Sequence, residues 1–352
     1  MRRALLATGV AAAMVLAAAC VAEEGGSEPT PDTVTLLTHD SFDVTRSVLE
    51  AFERSSGIRV RVLRVGDAGQ LVNRAILTAG NPEGDVLFGV DNNLLAEALE
   101  ADVFVPYASP RLDSVPDALE LDPEHRVTPI DRGDVCLNYD RRWFEQRGIE
   151  PPSDLADLTS PTYRGLTVVE NPATSTPGLA FLLATIARFG EDGWESYWRA
   201  LRANDVLVTD GWESAYFGEF SGAGGGEGSR PIVVSYATSP VAEVVFAEEP
   251  IERPPTGVVT SSCFEQIEFA GILRGARNPE GAERLIDFLL SRRFQEDIPL
   301  RMFVYPVATD AELPPVFREH AVQIPRSLSL SPDAIAAGRR DWVERWTQIV
   351  LR

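Results

Sequence analysis

The sequence predicts an α/β fold in two lobes, each a mainly parallel sheet flanked by helices. Three observations carry that expectation. Short β-branched runs alternate with helical stretches along most of the chain, as in parallel α/β units. Two long extended segments, around 127–139 and 258–273, bracket an α/β block of their own. The economical arrangement is two lobes joined by two crossing strands, with the chain returning to the first lobe at its end. Finally, at 352 residues the chain is long enough for two lobes.

Composition narrows the function classes. The formal net charge is −21, which argues against a nucleic-acid partner, since such partners select a basic face. It is compatible with a cationic ligand. Arginine carries all the basic charge, because the sequence contains no lysine.

The first twenty residues read as an export signal rather than fold. Arg2 and Arg3 form a basic start, and the apolar run from Ala4 ends in small residues at Ala19. That run is short for a permanent membrane span. Ala17-Ala18-Ala19-Cys20 resembles a bacterial lipoprotein cleavage site, with Cys20 the lipidated first residue of the mature chain. Residues 21–32, rich in Glu, Gly, Ser and Pro, read as a flexible tether.

The first lobe is expected from residues 33–130, rejoined by 265–352. Val34–Thr38 is a strand, and His39-Asp40 is the turn into a helix from about Val44 to Glu53. Ile58–Val65 alternates as a second strand, and Asp67-Ala68 opens the helix carrying Leu71 and Val72. Asp85–Val90 is a third strand, followed by Asp91 and the helix Leu94–Glu100. Ligands of parallel sheets collect beyond the carboxyl ends of the strands. His39, Asp40, Asp67 and Asp91 all fall at that edge. Singly each suits a turn or cap; their placement after three successive strands marks them as site candidates.

The second lobe, 131–264, repeats the logic. A helix is expected at Asp140–Gln146 and another starts near Pro151. Gly165–Glu170 is a buried strand, and Asn171 to Gly178 leads into the apolar run Leu179–Phe189. Ser175 or Thr176 can cap that helix and Pro177 suits its first turn. Free N–H groups at a positive dipole end favour an anion there. Gly193–Leu201 has helical spacing with Trp194, Tyr197 and Trp198 facing a core. Val206–Thr209 is a strand, and Trp212 lies in the turn after it, at the start of a helix through Phe220. Gly222–Gly228 lacks the lysine of a phosphate-binding loop and reads as an insertion. Pro231–Ser235 is a strand, and Tyr236-Ala237-Thr238-Ser239-Pro240 leads into a helix at Val241–Glu248, a second candidate dipole site. Helices are then expected at Pro279–Leu290, Ser291–Glu296 and Pro332–Leu351, with Tyr305–Val307 extended.

Beyond Cys20 there are two cysteines, Cys136 and Cys263, one on each crossing segment. In an exported chain such a pair favours a disulfide over a redox or metal site. If the crossing segments lie side by side the two can bond, closing a loop worth roughly 3–5 kcal/mol. Three histidines without a nearby cysteine argue against a zinc site.

With these residues in place, the chain resembles the thiamine-binding proteins of bacterial ABC importers, a branch of the two-lobed, type II periplasmic solute-binding proteins. The resemblance runs from about Val34 to the C-terminus. It rests on Asp40-Ser41-Phe42, Gly89 to Leu95, Thr174 to Leu179, Gly211-Trp212, Ser235-Tyr236 with Thr238-Ser239-Pro240, and Tyr305-Pro306-Val307. It implies that Asp67 and Ala68 contact thiamine, that Ser175 and Thr176 form a hydroxyl pair at the ligand, and that Trp212 walls the cleft. It further implies a binding turn at Tyr236, Ala237, Thr238 and Ser239. His39 and Ala242 stand where enteric members of the family carry tyrosines. The resemblance implies a non-catalytic, monomeric receptor that holds thiamine or its phosphates as transported ligand, not as cofactor. Its partners would be a permease and an ATPase, and the membrane through the lipid anchor. Competing readings are a receptor for a polyamine, an organophosphonate or ferric iron, and an exported thiamine-degrading enzyme. No adjacent tyrosine pair is present for iron, and the enzyme would need an activated nucleophile, usually cysteine with a nearby base.

Overall fold

Strand pairing, rather than helix packing, organises this molecule. The computed structural model describes residues 32–224 and 228–352. The export signal, Cys20, the tether as far as residue 31 and positions 225–227 of the glycine-rich loop lie outside the described residues.

The chain opens with β1 (Thr33–Thr38), α1 (Arg46–Ser56), β2 (Arg59–Arg64), α2 (Ala68–Leu77), β3 (Val86–Asp91), α3 (Leu95–Glu100) and a short β4 (Phe104–Val105). β1 pairs in parallel with both β2 and β3. The run β5 (Thr128–Asp140), α4 (Arg141–Arg147), β6 (Thr167–Glu170), α5 (Thr176–Phe189), α6 (Trp194–Ala203), β7 (Leu207–Thr209), β8 (Ile232–Tyr236) and α7 (Ser239–Val245) follows. Here β6 pairs in parallel with β7 and β8. After β9 (Thr256–Leu273) come α8 (Pro279–Leu289), α9 (Arg292–Gln295), α10 (Ile298–Arg301), β10 (Tyr305–Pro306), α11 (Pro315–His320) and α12 (Pro332–Val350).

The two long extended segments are β5 and β9. They pair antiparallel along most of their length, from Thr128 opposite Ala270 to Asp140 opposite Thr256. They join the parallel triplets into one strand order, β2-β1-β3-β9-β5-β8-β6-β7. Both triplets are parallel and both junctions with the crossing strands are antiparallel.

Cys136 and Cys263 form a disulfide across these strands, 127 positions apart in sequence. A register shift between Val135 and Leu137 leaves Cys136 without a directly opposed residue on β9, and the bridge forms there. The pair is buried against Ala237.

The helices form largely where hydrophobic spacing places them. α5 is buried from Thr176 to Ile186 on every side, which explains its continuous apolar run. The aromatics of α6 are core: Trp194, Tyr197 and Trp198 are buried. Trp198 meets Trp346 of α12 edge-on at 5.5 Å, and Arg345 pairs with Glu191 and Glu195. At its other end α12 pairs Arg339 with Glu97 of α3.

Three local expectations change. The segment after Pro152 makes only a 3-10 turn, Leu155–Thr159, capped by Asp154. The helix expected after Trp212 is a π-helical turn, Ser214–Glu219, a form that clusters at functional sites. Ser175 holds the N-cap position of α5, but its hydroxyl makes no cap bond, because Asp67 has taken the helix end instead.

Candidate ligand-binding cleft

The strand ends of the two parallel triplets meet at a cavity of about 240 Å³. From the first triplet it is lined by His39, Asp67 and Ala68, and from the second by Thr176, Trp212, Tyr236 and Ser239. The crossing strands add Asp131, Gln266 and Glu268.

Asp67 sits at the start of α2 and reaches across to the opposite side. Its Oδ2 accepts from the Trp212 N–H at 2.9 Å and its Oδ1 from the Thr176 N–H at 3.3 Å. The first N–H of α5, that of Thr176, is therefore answered by a carboxylate of the chain itself, the charge that helix end favours. Burial raises the Asp67 pKa, opposed by these N–H donors, by His39 and by the Ser175 hydroxyl.

The approach is close enough to dictate residue type. The N–H of Gln70 donates to the carbonyl of Thr174 at 3.1 Å, and a Cβ on Gly69 would lie 2.6 Å from that same carbonyl carbon. Only glycine fits there. On β3, Gly89 has φ +123° and a Cβ would lie 2.7 Å from the His39 ring. The bulge at Phe88–Val90 thus makes room for His39 in the cavity wall.

Trp212 presents its indole between two supports. One is Tyr216 of the π-helical turn, stacked at 5.0 Å and 20°; the other is the Ser235 hydroxyl, which accepts from Nε1 at 2.9 Å. Phe217 and Phe246, exposed by 54% and 70%, also line the cavity. Phe246 lies one turn beyond Ala242 on α7 and meets Phe303 edge-on at 5.4 Å.

Gln266 ties the walls together. Its Oε1 accepts from the Tyr236 hydroxyl at 2.8 Å, and its Nε2 donates to Asp91 at 2.8 Å and Thr176 Oγ1 at 3.0 Å. This uses both of its N–H donors and one of the two acceptor sites on Oε1, in a buried position where an unpaired group is costly.

The sequence-predicted residues therefore divide. His39, Asp67, Ala68, Thr176, Trp212, Tyr236 and Ser239 come together. Asp40 lines an adjoining cavity of about 310 Å³ that shares Asp67 and Trp212. Asp91 is fully buried and stands behind Gln266, accepting from the Asn93 side chain and the Leu94 N–H. Burial pushes its pKa up to about 6. Ala237 packs on the disulfide, Thr238 donates to the Phe303 carbonyl, and Ser175 is buried at the start of α5; none of the three is in the cavity lining. The Ser239 hydroxyl bonds Ser235 Oγ and accepts from the Tyr236 N–H.

Sequence reasoning missed Gln266, Glu268 and Asp131. For Gln266 and Glu268 the signal is period-two spacing on β9, where these polar residues flank Ile267 and share one face of the strand; Asp131 on β5 carries no comparable pattern. Among the described residues there is no cluster of three or more His, Cys, Asp or Glu that could hold a metal.

A two-lobed α/β scaffold with a wall-to-wall cleft at the strand ends defines a solute-binding protein, and the chain belongs to the bacterial extracellular solute-binding protein family, whose model matches residues 81–326. More particularly, it is 30% identical over 324 residues to the thiamine-binding periplasmic protein of Salmonella typhimurium strain LT2, covering 91% of this chain and 94% of that one. The thiamine-binding periplasmic protein of Escherichia coli K12 is likewise 30% identical, with the same coverage. Among solved structures, a periplasmic thiamin binding protein superposes with a TM-score of 0.79 at 28% identity, covering 93% of this chain and 98% of that one.

Proposed function

We propose that this protein is an extracytoplasmic receptor that captures thiamine between its two lobes and delivers it to an ABC importer. The lobes are 33–130 with 265–352, and 131–264, with α12 reaching across to α6. Cys20 is the lipid-anchor site, and the receptor works as a monomer.

The observation that carries this reading is the composition of this cleft. Aromatic surface from Trp212, Tyr236, Phe217 and Phe246 shares one cavity with Asp67, Asp131, Glu213, Glu243 and Glu268. A flat ring bearing a permanent positive charge suits that combination, since aromatic faces and carboxylates both attract cations. Both relatives named above are called thiamine-binding proteins.

The wall chemistry also bears on the form of the ligand. The Thr176 N–H at the start of α5 already holds Asp67, the Ser239 hydroxyl is bonded internally, and the cavity's arginine, Arg301, is paired with Asp43. Unphosphorylated thiamine therefore fits the cleft better than its diphosphate.

Titration calorimetry of the chain lacking residues 1–32, against thiamine, its mono- and diphosphate, spermidine and ferric citrate, tests the reading. Saturable heat is expected with thiamine and weaker binding with the diphosphate. Absence of heat with every thiamine form overturns it, and heat with spermidine or ferric citrate alone replaces it.

A further inference from the structure

Asp131 and Glu268 are directly opposed across β5 and β9, and both line the cavity. Like charges so placed repel, and burial removes the water that would screen them. Asp131 is 3% exposed. Its carboxyl faces that of Glu268 across the strand pair, and its buried Oδ2 receives no hydrogen bond. Two opposed carboxyl groups without a donor between them are best accommodated when one of them carries a proton. Burial first, and then the neighbouring charge of Glu268, hold the Asp131 pKa well above the usual carboxylate range.

Glu268 has a second neighbour. Its Oε1 lies 3.3 Å from His39 Nε2, with side-chain exposures of only 14% and 12%. Burial pushes His39 down, but Glu268, Asp67 and Asp40 together outweigh it and leave the imidazole raised above 6.5. The remaining ionisable neighbours are acidic or neutral: Asp91 faces Glu268, and Tyr236 faces Glu268, Asp67 and Asp131. Glu170 lies behind Asp67. Arg301, the arginine in this wall, is paired with Asp43. Protons, not fixed cations, thus neutralise this part of the cleft.

We propose that Asp131, Glu268 and His39 form a proton-exchange triad that accepts the ligand's permanent positive charge and gives up a proton in return. This rests on the reading of the ligand as thiamine. The balance is one cation in and one proton out to solvent, with no covalent change in the ligand. Such an exchange makes affinity rise with pH. It also selects a permanent cation over a neutral molecule of the same shape, which displaces no proton.

The test is titration calorimetry with thiamine in two buffers of different ionisation enthalpy, repeated between pH 5.5 and 7.5. Expected are release of about one proton per thiamine and a dissociation constant that falls by up to about tenfold per pH unit. Asp131→Asn and Glu268→Gln, each checked for folding by thermal melting, should abolish most of the release and flatten the pH profile. If one variant does not fold, the other carries the test. Thiamine binding without proton release, or release unchanged in the folded variants, overturns the triad and leaves the receptor reading intact. Failure of every thiamine form to bind overturns both.

Discussion

The Asp67 carboxylate accepts a hydrogen bond from the Trp212 main-chain N–H at 2.9 Å, across 145 positions of sequence. One side chain from the β1–β3 side of the cleft thereby fixes both the tryptophan turn and, through Thr176, the start of α5. The contact ties the two sides of the cleft together at its aromatic wall.

Asp67→Asn should weaken thiamine binding by about 10- to 100-fold, the span of a charge-assisted hydrogen bond of about 1.5–3 kcal/mol. An amide keeps the shape but loses the charge that answers the α5 dipole. Calorimetry measures it; an unchanged dissociation constant removes Asp67 from the site.

Gly69→Ala tests the close approach. Its Cβ would meet the Thr174 backbone at 2.6 Å, and overpacking of this kind costs about 1–3 kcal/mol. The variant should fold normally yet bind about 5- to 100-fold more weakly. Small-angle scattering should show less compaction with thiamine than in the parent. Equal compaction and affinity would mean that the two sides need not meet at this glycine.

Trp212→Ala removes the indole that Tyr216 and Ser235 position. A desolvated cation–π contact is worth about 2 kcal/mol or more, so affinity should fall at least roughly tenfold. Trp212 is only half-buried, so thermal melting should change little. A large drop in melting temperature with unaltered affinity would assign the residue to packing.

Reduction of Cys136–Cys263 should lower stability by up to about 5 kcal/mol, from the 127-residue separation and the chain-entropy model. Chemical denaturation with and without a phosphine reductant checks this. No shift would mean that pairing of β5 and β9 alone holds the crossing.

Glu170 sets a pH dependence of stability. It is buried, both carboxyl oxygens lack hydrogen-bond partners, and burial, then Asp67, raise its pKa well above 4.5. A carboxyl raised on folding contributes its stability in acid, below its unfolded pKa, and loses it as pH climbs through the folded value. Glu170→Gln should therefore stabilise the protein at pH 8 far more than at pH 5. Melting curves at the two values decide, and parallel shifts at both would exclude titration of Glu170 as the cause.

Much of this molecule is readable from its sequence. The alternation of β-branched strands with amphipathic helices, the two crossing segments and the cysteine on each are local patterns, and local patterns survive folding. So do the strand-end positions of His39, Asp67, Trp212 and Tyr236, because a residue just past a parallel strand emerges at the ligand edge wherever that strand lies.

What only the tertiary structure decided is which side chains beyond those turns face the cleft. Asp91 and Asp131 are both acidic residues of buried strands, yet Asp91 backs Gln266 while Asp131 lines the cavity. Register shifts between Phe88 and Val90, Pro129 and Asp131, and Val135 and Leu137 reset the pairing in these strands. A one-residue slip moves every following side chain to the other face. Such a slip is fixed by the partner strand, more than a hundred residues away in sequence, and period-two alternation carries no record of it. For the same reason the helix start at Ser175-Thr176 reads from sequence as an open anion site, whereas in the fold Asp67 has already taken its place.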